Sequence, residues 1–325
     1  MTVCIAAIYN DNAIFGASDR MVTGGYGDIT FEPPIEKILQ LTNSIAVLTA
    51  GDQSIQTQVY YKAFKIIREI ITADPSKWVD ISNAAEIYSK CFYEVRNKLI
   101  EDNILSSYNL TFDSFYEKQK LMDKDFIYMV NSKIDRFIKN LNGIATIITG
   151  IDDSGPHIYV VDDGEVGCHD KLGFAAIGIG AYHATSHFML SGYTHSLPEE
   201  KALLTIHQAK KKAEVSPGVG KETDMCVIGP LKGSFVLITH PSFPIKIIKD
   251  LDNYYKSYKK SIKKIDNRNE EKIRKYLAEM ETRAQQKQAV SPSPSVSPSA
   301  SVSSSASPSP SVSPSAEAPG EDKWE

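Results

Sequence analysis

The sequence predicts an α+β fold in which strands and helices occur in separate blocks along the chain. Short apolar runs bounded by turn residues fill the first fifty residues, and apolar residues at helical spacing follow from Gln53. The same succession of strands and then helices returns after residue 143. The chain has 325 residues, of which 42% are hydrophobic, so it can bury a sizeable core.

The first block predicts four strands arranged as two hairpins. These are VCIAAIY and AIFGAS, joined by the turn Asn10-Asp11-Asn12, and then KILQL and SIAVLTA. Their short lengths and tight turns favour antiparallel pairing. Two helices are expected next, one from Gln53 with an apolar face and a second from Asp80 or Ser82.

Residues 103–142 carry aromatic residues among charges, and we interpret them as an enlargement of the helical layer. Strands are predicted again at ATIITGI, HIYVVD and FAAIGIG, with aspartate and glycine clusters as turns. Helices are predicted at about 181–192 and 198–214. The strands DMCVIG and GSFVLITH complete the predicted domain, residues 1–250.

The C-terminal part of the chain divides into two regions of different composition. Residues 251–288 keep an apolar stripe among many charges and predict an amphipathic helix. Such a helix is either a membrane or partner element, or it packs on the domain with a solvated Lys/Arg face. Residues 289–325 are a Ser/Pro/Ala repeat, which predicts a disordered tail.

Charge and cysteine content narrow the class of protein. The net charge of -4 gives no basic field, so neither nucleic acid nor a membrane surface is the expected partner. The four cysteines lack metal-ligand spacing, and we expect buried free thiols, as in a reducing compartment. There is no signal-peptide pattern and no apolar run of membrane-spanning length. We therefore expect a cytoplasmic protein without a metal site.

The segment that suggests chemistry is the start, MTVCIAAIYN. Removal of Met1 would leave Thr2 with a free α-amino group beside its hydroxyl. An α-amino group has a reference pKa of about 7.7–8.0, so near neutral pH part of it is available to accept the hydroxyl proton. Nucleophile and base would then belong to one residue.

The segments SDRMVTGG and EKILQLTNSIAVLTAGD resemble the proteasome β-subunit family, which includes the bacterial HslV peptidase. In that family a first strand begins with the nucleophilic threonine. An acidic residue followed by arginine, a lysine that opens the third strand, and an Ala-Gly at the end of the fourth strand come next. The matching positions here are Thr2, Asp19-Arg20, Lys37 and Ala50-Gly51.

The resemblance covers most of residues 2–250 except the segment near 103–142. It implies the four-layer αββα sandwich of N-terminal nucleophile hydrolases. It also implies that Thr2 is nucleophile and base, that Lys37 lowers the pKa of the Thr2 amine, and that Asp19 orients Lys37. The backbone N–H of Gly51 would stabilise the oxyanion.

Three further residues are implied as possible supports of the site, namely Arg20, Glu214 and Ser216. The resemblance also requires one extra residue in the Asn10-Asp11-Asn12 turn, because otherwise Val3 rather than Thr2 would face Lys37. The expected function is a threonine peptidase acting on peptides or unfolded proteins. It would work without a cofactor, as a homo-oligomeric ring with an ATPase or other activator.

Two alternatives remain open at this stage. One is a catalytically silent proteasome-like subunit with an assembly or binding role. The long tail favours it, and so does Ile179, because many family members have serine at that position. The other is an amidohydrolase of the same fold that acts on a small amide. As non-catalytic roles, Asp19-Arg20 could form a surface ion pair and Lys37 could protect a strand edge.

Overall fold

A computed structural model describes residues 2–24, 29–33, 36–74, 78–141, 143–231, 233–238 and 246–289. One compact unit extends to Lys260 and a second begins at Ser261. The fold is mixed α and β, as predicted. Among the helices in these ranges, none combines the length and the apolar character needed to cross a bilayer.

The described residues form twelve strands and seven α-helices. The strands are β1 (Cys4–Tyr9), β2 (Ala13–Asp19), β3 (Val22–Gly24), β4 (Ile29–Phe31), β5 (Ile38–Thr42), β6 (Ile45–Ala50), β7 (Ala145–Asp152), β8 (Gly155–Asp162), β9 (Glu165–Cys168), β10 (Phe174–Ile177), β11 (Thr223–Ile228) and β12 (Val236–Leu237). The helices are α1 (Gln53–Ala73), α2 (Ile81–Asn103), α3 (Phe112–Glu117), α4 (Lys124–Leu141), α5 (Ala181–Leu190), α6 (Glu199–Ala213) and α7 (Lys246–Ala289).

Two five-stranded antiparallel sheets form the centre of the first unit. The first has the strand order β10-β1-β2-β11-β12, and the second has the order β5-β6-β7-β8-β9. The expected pairing of β1 with β2 and of β5 with β6 as hairpins is confirmed. The pair β3-β4 and strand β9 were not predicted from the sequence.

Three apolar clusters show how sheets and helices pack. One lies between the inner faces of the two sheets and includes Cys4, Leu48 and Ile147. A second packs the first sheet against α5 and α6, and a third packs the second sheet against α1 and α2. Both sheets are thus apolar on both faces, which explains why β1, β2, β6 and β7 are buried along their whole lengths.

The enlarged segment predicted near 103–142 is helical. A 3-10 turn at Leu105–Tyr108 leads into α3, and a second turn at Gln119–Leu121 leads into α4. Their apolar side chains form a small core of their own around Phe115, with Ile100 of α2 at its edge. This satellite core explains why the segment lacks a single clear period in the sequence.

The C-terminal helix begins at Lys246, earlier than the predicted residue 251, and reaches Ala289. In the first unit, Leu251 is buried and Asp252 is bonded to His207 and Lys211 of α6. The side chains of residues 261–282 are exposed. The predicted disordered tail, residues 289–325, lies outside the described residues from 290 onward.

The first hairpin determines which side chains of β1 face the space between the sheets. Asn10 and Asp11 both adopt left-handed backbone conformations (φ 50° and 58°), and the N–H of Asn12 donates to the carbonyl of Tyr9 (3.2 Å). Asparagine and aspartate tolerate this conformation better than other non-glycine residues. With this three-residue connection, Cys4 is paired with Ser18, and the N–H of Asp19 donates to Val3.

Two sequence expectations are wrong at this level. Cys168 is exposed, whereas Cys4, Cys91 and Cys226 are buried free thiols. Cys168 ends β9 at the edge of the second sheet, where little covers it. The predicted strand GSFVLITH contains only the two residues of β12; residues 239 and 240 of that run are not among those described.

Candidate active site

Thr2, Asp19 and Lys37 meet at one end of the space between the sheets. The Lys37 Nζ donates to the Thr2 Oγ1 (2.6 Å) and to the Asp19 Oδ1 (3.0 Å). The Thr2 Oγ1 in turn donates to the Asp19 Oδ1. All three residues are nearly inaccessible, with Thr2 and Lys37 each 3% exposed and Asp19 0%. The sequence predicted this group, and the fold brings its members together.

Strand geometry places these side chains. Thr2 precedes β1, Asp19 ends β2 and Lys37 precedes β5, so two adjacent strands of one sheet and one strand of the other converge here. Side chains alternate along a strand, and Val3 therefore points to the opposite side, into the cluster against α5 and α6. Thr2, rather than Val3, faces Lys37. This is the arrangement expected if the Asn10-Asp11-Asn12 turn holds one extra residue.

Asp19 is held ionised by its surroundings. Its Oδ1 accepts from the N–H of Val3 (3.0 Å), and its Oδ2 accepts from the N–H groups of Met21 (3.0 Å) and Gly220 (2.8 Å). Burial by itself would raise the pKa of this carboxyl. The Lys37 ammonium and the hydrogen bonds outweigh burial and hold the pKa of Asp19 below its ordinary value. The carboxylate is consequently a weak base.

Lys37 uses all its donor capacity in this group. Its third hydrogen bond goes to the carbonyl of Met21 (2.5 Å), which follows β2. An ammonium group has three donors and no acceptor. Lys37 therefore positions the Thr2 hydroxyl and offers positive charge to its oxygen, but as an ammonium it cannot accept the hydroxyl proton.

Two clefts meet at Thr2. The larger has a volume of about 1120 Å³ and is also lined by Gly51, Gly178 and strands β8 and β9. The smaller, about 240 Å³, lies beside Lys37, Thr49 and Gly51. Thr2 and Gly51 line both, so a molecule in either cleft lies next to the threonine and to this glycine.

Gly51 and Gly178 occupy positions that side chains would not tolerate. Gly51 has φ +104°, and a Cβ there would lie 2.6 Å from the carbonyl oxygen of Gly143. Gly178 has φ +85°, and a Cβ there would lie 2.4 Å from the carbonyl oxygen of Thr2. That Thr2 carbonyl also accepts from the N–H of Gly180 (3.2 Å), so the turn after β10 holds the backbone of Thr2.

The three possible supporting residues are not bonded to Thr2. Arg20 donates through its Nε to both carboxylate oxygens of Asp224 on β11 (3.0 and 2.9 Å). Glu214 accepts from Lys210 (2.7 Å) at the end of α6. Ser216 lies in the following turn, where its N–H donates to Ala213. The suggested surface pair of Asp19 with Arg20 and the strand-edge role of Lys37 are also wrong, because Asp19 and Lys37 are buried together.

The sequence did not reveal the buried Lys210. Its Nζ donates to the carbonyls of Gly220 (2.9 Å) and Lys221 (2.8 Å) as well as to Glu214. Burial lowers the pKa of Lys210, and Glu214 opposes that effect. Since the Gly220 N–H bonds to Asp19, Lys210 fixes the loop that supports the carboxylate. It belongs to a run of three lysines, which in sequence is typical of a solvated face.

The thiol of Cys4 lies close to Thr2, Asp19 and Lys37, but it is unsuited to act as a nucleophile. Its Sγ donates to the carbonyl of Thr49 (3.3 Å), and burial raises the pKa of the thiol to about 12. A thiol that stays protonated at neutral pH is a poor nucleophile. Across the residues with described positions, no group of three or more His, Cys, Asp or Glu side chains is arranged to hold a metal ion.

Comparison with known proteins adds no assignment. No protein-family model matches the chain, and no curated protein matches it.

Proposed function

We propose that this protein is an N-terminal threonine hydrolase that cleaves amide bonds through Thr2. The observation that carries the proposal is the position of the Thr2 hydroxyl, which accepts from Lys37 and donates to Asp19 at the junction of two clefts. An ammonium group beside an oxygen favours its negatively charged form, so Lys37 makes the hydroxyl easier to deprotonate.

The proton of the hydroxyl needs an acceptor that this group does not contain. Asp19 is a weak base because its pKa is lowered, and Lys37 has no free lone pair. An amide nitrogen is not basic, so Thr2 is inactive while it is joined to Met1. Cleavage of that bond would create an α-amino group on the same residue, with a reference pKa of about 7.7–8.0. This amine is the proposed base.

The proposed reaction has two halves. The Thr2 oxygen attacks the substrate carbonyl, the amine takes the hydroxyl proton, and this proton passes to the leaving nitrogen as the C–N bond breaks. Water then attacks the resulting ester and gives a proton to the amine. As the ester C–O bond breaks, the amine passes this proton to the Thr2 oxygen, so that the acid and the free hydroxyl are released. The backbone of Gly51 lines both clefts beside Thr2 and is the proposed oxyanion donor.

Peptides are the proposed substrates. Support comes from the resemblance of SDRMVTGG and EKILQLTNSIAVLTAGD to proteasome β-subunits, and from the size of the larger cleft. The same resemblance, together with apolar clusters between the sheets and on both outer faces, supports the αββα sandwich of N-terminal nucleophile hydrolases. A cytoplasmic homo-oligomeric ring that works with an activator remains part of this proposal.

Intact-mass measurement, N-terminal sequencing and a fluorogenic peptide assay test the proposal. We expect Thr2 at the N-terminus and a loss of at least about 10³-fold in rate for Thr2→Ala. Thr23→Ala is the matched control, because Thr23 also lines both clefts without bonding to Lys37. Quantitative retention of Met1, or full activity of Thr2→Ala, would refute the proposal.

The same experiment separates the alternatives. A chain that loses Met1 yet hydrolyses neither peptides nor small amides is a catalytically silent subunit. A chain that hydrolyses small amides but not peptides is an amidohydrolase. Ile179, which lines the larger cleft and is 50% exposed, offers no hydroxyl to a substrate or to the threonine amine.

A further inference from the structure

The second unit carries an apolar stripe that nothing in the unit covers. From Ser261 the described chain is the single helix α7, and its large apolar side chains are 38–63% exposed. Six residues lie along one side of the helix at successive spacings of 3, 4, 4, 3 and 4. They are Ile262, Ile265, Asn269, Ile273, Tyr276 and Met280.

This spacing is an 11-residue repeat. Ile262 recurs as Ile273, Ile265 as Tyr276, and Asn269 as Met280. Eleven residues in three turns give about 3.67 residues per turn, close to the 3.6 of a straight helix. The stripe therefore stays on one side over the whole exposed length, which suits pairing with another helix of the same pitch.

Over residues 266–272 the charges differ in sign on the two sides of the stripe, whereas farther along the helix Glu279 occupies the repeat position of Arg268. Asp266 and Glu270 lie on one side, whereas Arg268 and Lys272 lie on the other. Each of these is a like-charge pair at i,i+4, which destabilises an isolated helix. Away from the stripe the i,i+4 pairing is favourable instead, since Glu271 bonds to Lys275 (3.1 Å) and Arg274 lies 3.9 Å from Glu270. The unfavourable pairs thus border the apolar stripe.

We propose that this stripe binds the same stripe of a second copy of the chain, in a parallel pair of helices. In a parallel pair the acidic side of each helix faces the basic side of the other, whereas an antiparallel pair brings like sides together. Asp266 and Glu270 of one copy then face Arg268 and Lys272 of the second copy. Asp266, Arg268 and Lys272 thereby gain partners of opposite sign, and Glu270, which already lies 3.9 Å from Arg274 of its own helix, gains a second one.

Asn269 supports the parallel, in-register arrangement. It is the one polar residue among the six, and in register its amide lies opposite the same amide of the second copy. Two amides can hydrogen-bond to each other, and an asparagine at such a position specifies register. The pairing is independent of the proposed hydrolase, because none of its residues belongs to that site.

Other occupants fit less well. Residues 290–325 are mainly serine, proline and alanine, and their scattered valines and the single Trp324 form no apolar stripe. A membrane surface favours a uniformly basic border, but here one border is acidic. A second copy matches both the stripe and the charges.

Disulfide trapping in the full-length chain tests the pairing. In a Cys168→Ser background, which removes the exposed native thiol, Asn269→Cys is expected to give a covalent dimer under mild oxidation. Ala278→Cys lies on the opposite face of the helix and is the matched control, expected to stay uncrosslinked. Equal crosslinking of the two variants, or none for Asn269→Cys, would overturn the proposal.

Sedimentation equilibrium provides the second measurement. Ile265→Glu with Ile273→Glu should weaken self-association by about 100-fold or more. Asp266→Lys/Glu270→Lys and Arg268→Glu/Lys272→Glu should each weaken it alone, and mixing these two charge variants should restore pairing. If the double glutamate variant associates like the wild type, any association comes from another surface and the inference is wrong.

Discussion

Two cation–carboxylate pairs begin at consecutive residues of the chain, and their surroundings differ. Asp19 is bonded to Lys37 between the sheets, and both side chains are buried. Arg20 is bonded to Asp224 of the first sheet, and the Arg20 side chain is 29% exposed. Neighbouring residues at a strand end point to opposite sides, so adjacent charges enter different environments.

The comparison shows what distinguishes a candidate reactive group from a structural ion pair. Both pairs are close and well aligned. In the first, however, the cation and the carboxylate share the hydroxyl of Thr2, which borders both clefts. In the second, the Nε and Nη2 of Arg20 both donate to Asp224, and no hydroxyl of a described residue lies between the two charges. It is the hydroxyl held between the two charges, and not the ion pair alone, that marks the first pair as a candidate reactive group.

Replacing Lys37 with methionine should have the largest effect on stability. It leaves the Asp19 charge buried without its cation, which typically costs roughly 3–5 kcal/mol of unfolding free energy. Three backbone N–H groups still donate to Asp19 in this variant, so we expect a loss near the lower end of that range. Urea unfolding measures it, and the double variant Asp19→Asn/Lys37→Met should recover part of the loss because no unpaired charge remains. A loss equal to the sum of the two single variants would contradict this view of the pair.

Replacing Arg20 with methionine should have a smaller effect. Asp224 is fully buried and loses its bidentate partner, so we expect a loss of about 2 kcal/mol in the same urea experiment. The rate of the proposed hydrolysis by Thr2 should change by no more than a few-fold, because Arg20 does not contact Thr2, Asp19 or Lys37. The exposed pair Lys98–Asp102 supplies the control, and Lys98→Ala should leave the unfolding midpoint unchanged. If Arg20→Met abolished activity while preserving stability, Arg20 would belong to the site.

The pH dependence of unfolding should show the smallest effect, confined to acid. The pKa of Asp19 is lower in the folded chain than its ordinary 3.8, so its ionised form stabilises the fold above about that pH. Each unit of lowering contributes about 1.4 kcal/mol, which is lost as the pH falls through the folded pKa. The stability difference between wild type and Asp19→Asn should therefore shrink below about pH 4. A difference that stayed constant down to pH 2 would mean that Asp19 is not stabilised as an ion.

The sequence predicted the principal strands and helices of the first unit well, because its turns and periods are distinct. The hairpins around Asn10 and at Asn43-Ser44, and the apolar face of α1, follow from local rules. Strands β3, β4 and β9 were not predicted, since their exposed or mixed sequences carry no clear alternation. They form because a neighbouring strand offers hydrogen bonds.

The part of the candidate site that consists of side chains in direct contact with Thr2 was predictable. The resemblance to proteasome β-subunits implied Thr2, Asp19 and Lys37, and the structure brings these residues together. Lys210 and Gly220 could not be found, because their contribution is made through backbone groups of a loop. The contact of Glu214 with Lys210 could not be found for the same reason, because it depends on how that loop folds back.

The number of residues between Thr2 and β2 decides which residue at the start of the chain lies beside Lys37. The proposed activity therefore depends on this number as well as on the identity of Thr2. Inserting one residue among Asn10, Asp11 and Asn12, while β2 and the length of the turn stay the same, would move β1 by one position. Val3 would then occupy the place of Thr2 beside Lys37, and an isopropyl group would replace the hydroxyl. An insertion or deletion in a surface turn that touches no reacting atom can thus silence the site as completely as a substitution at the threonine.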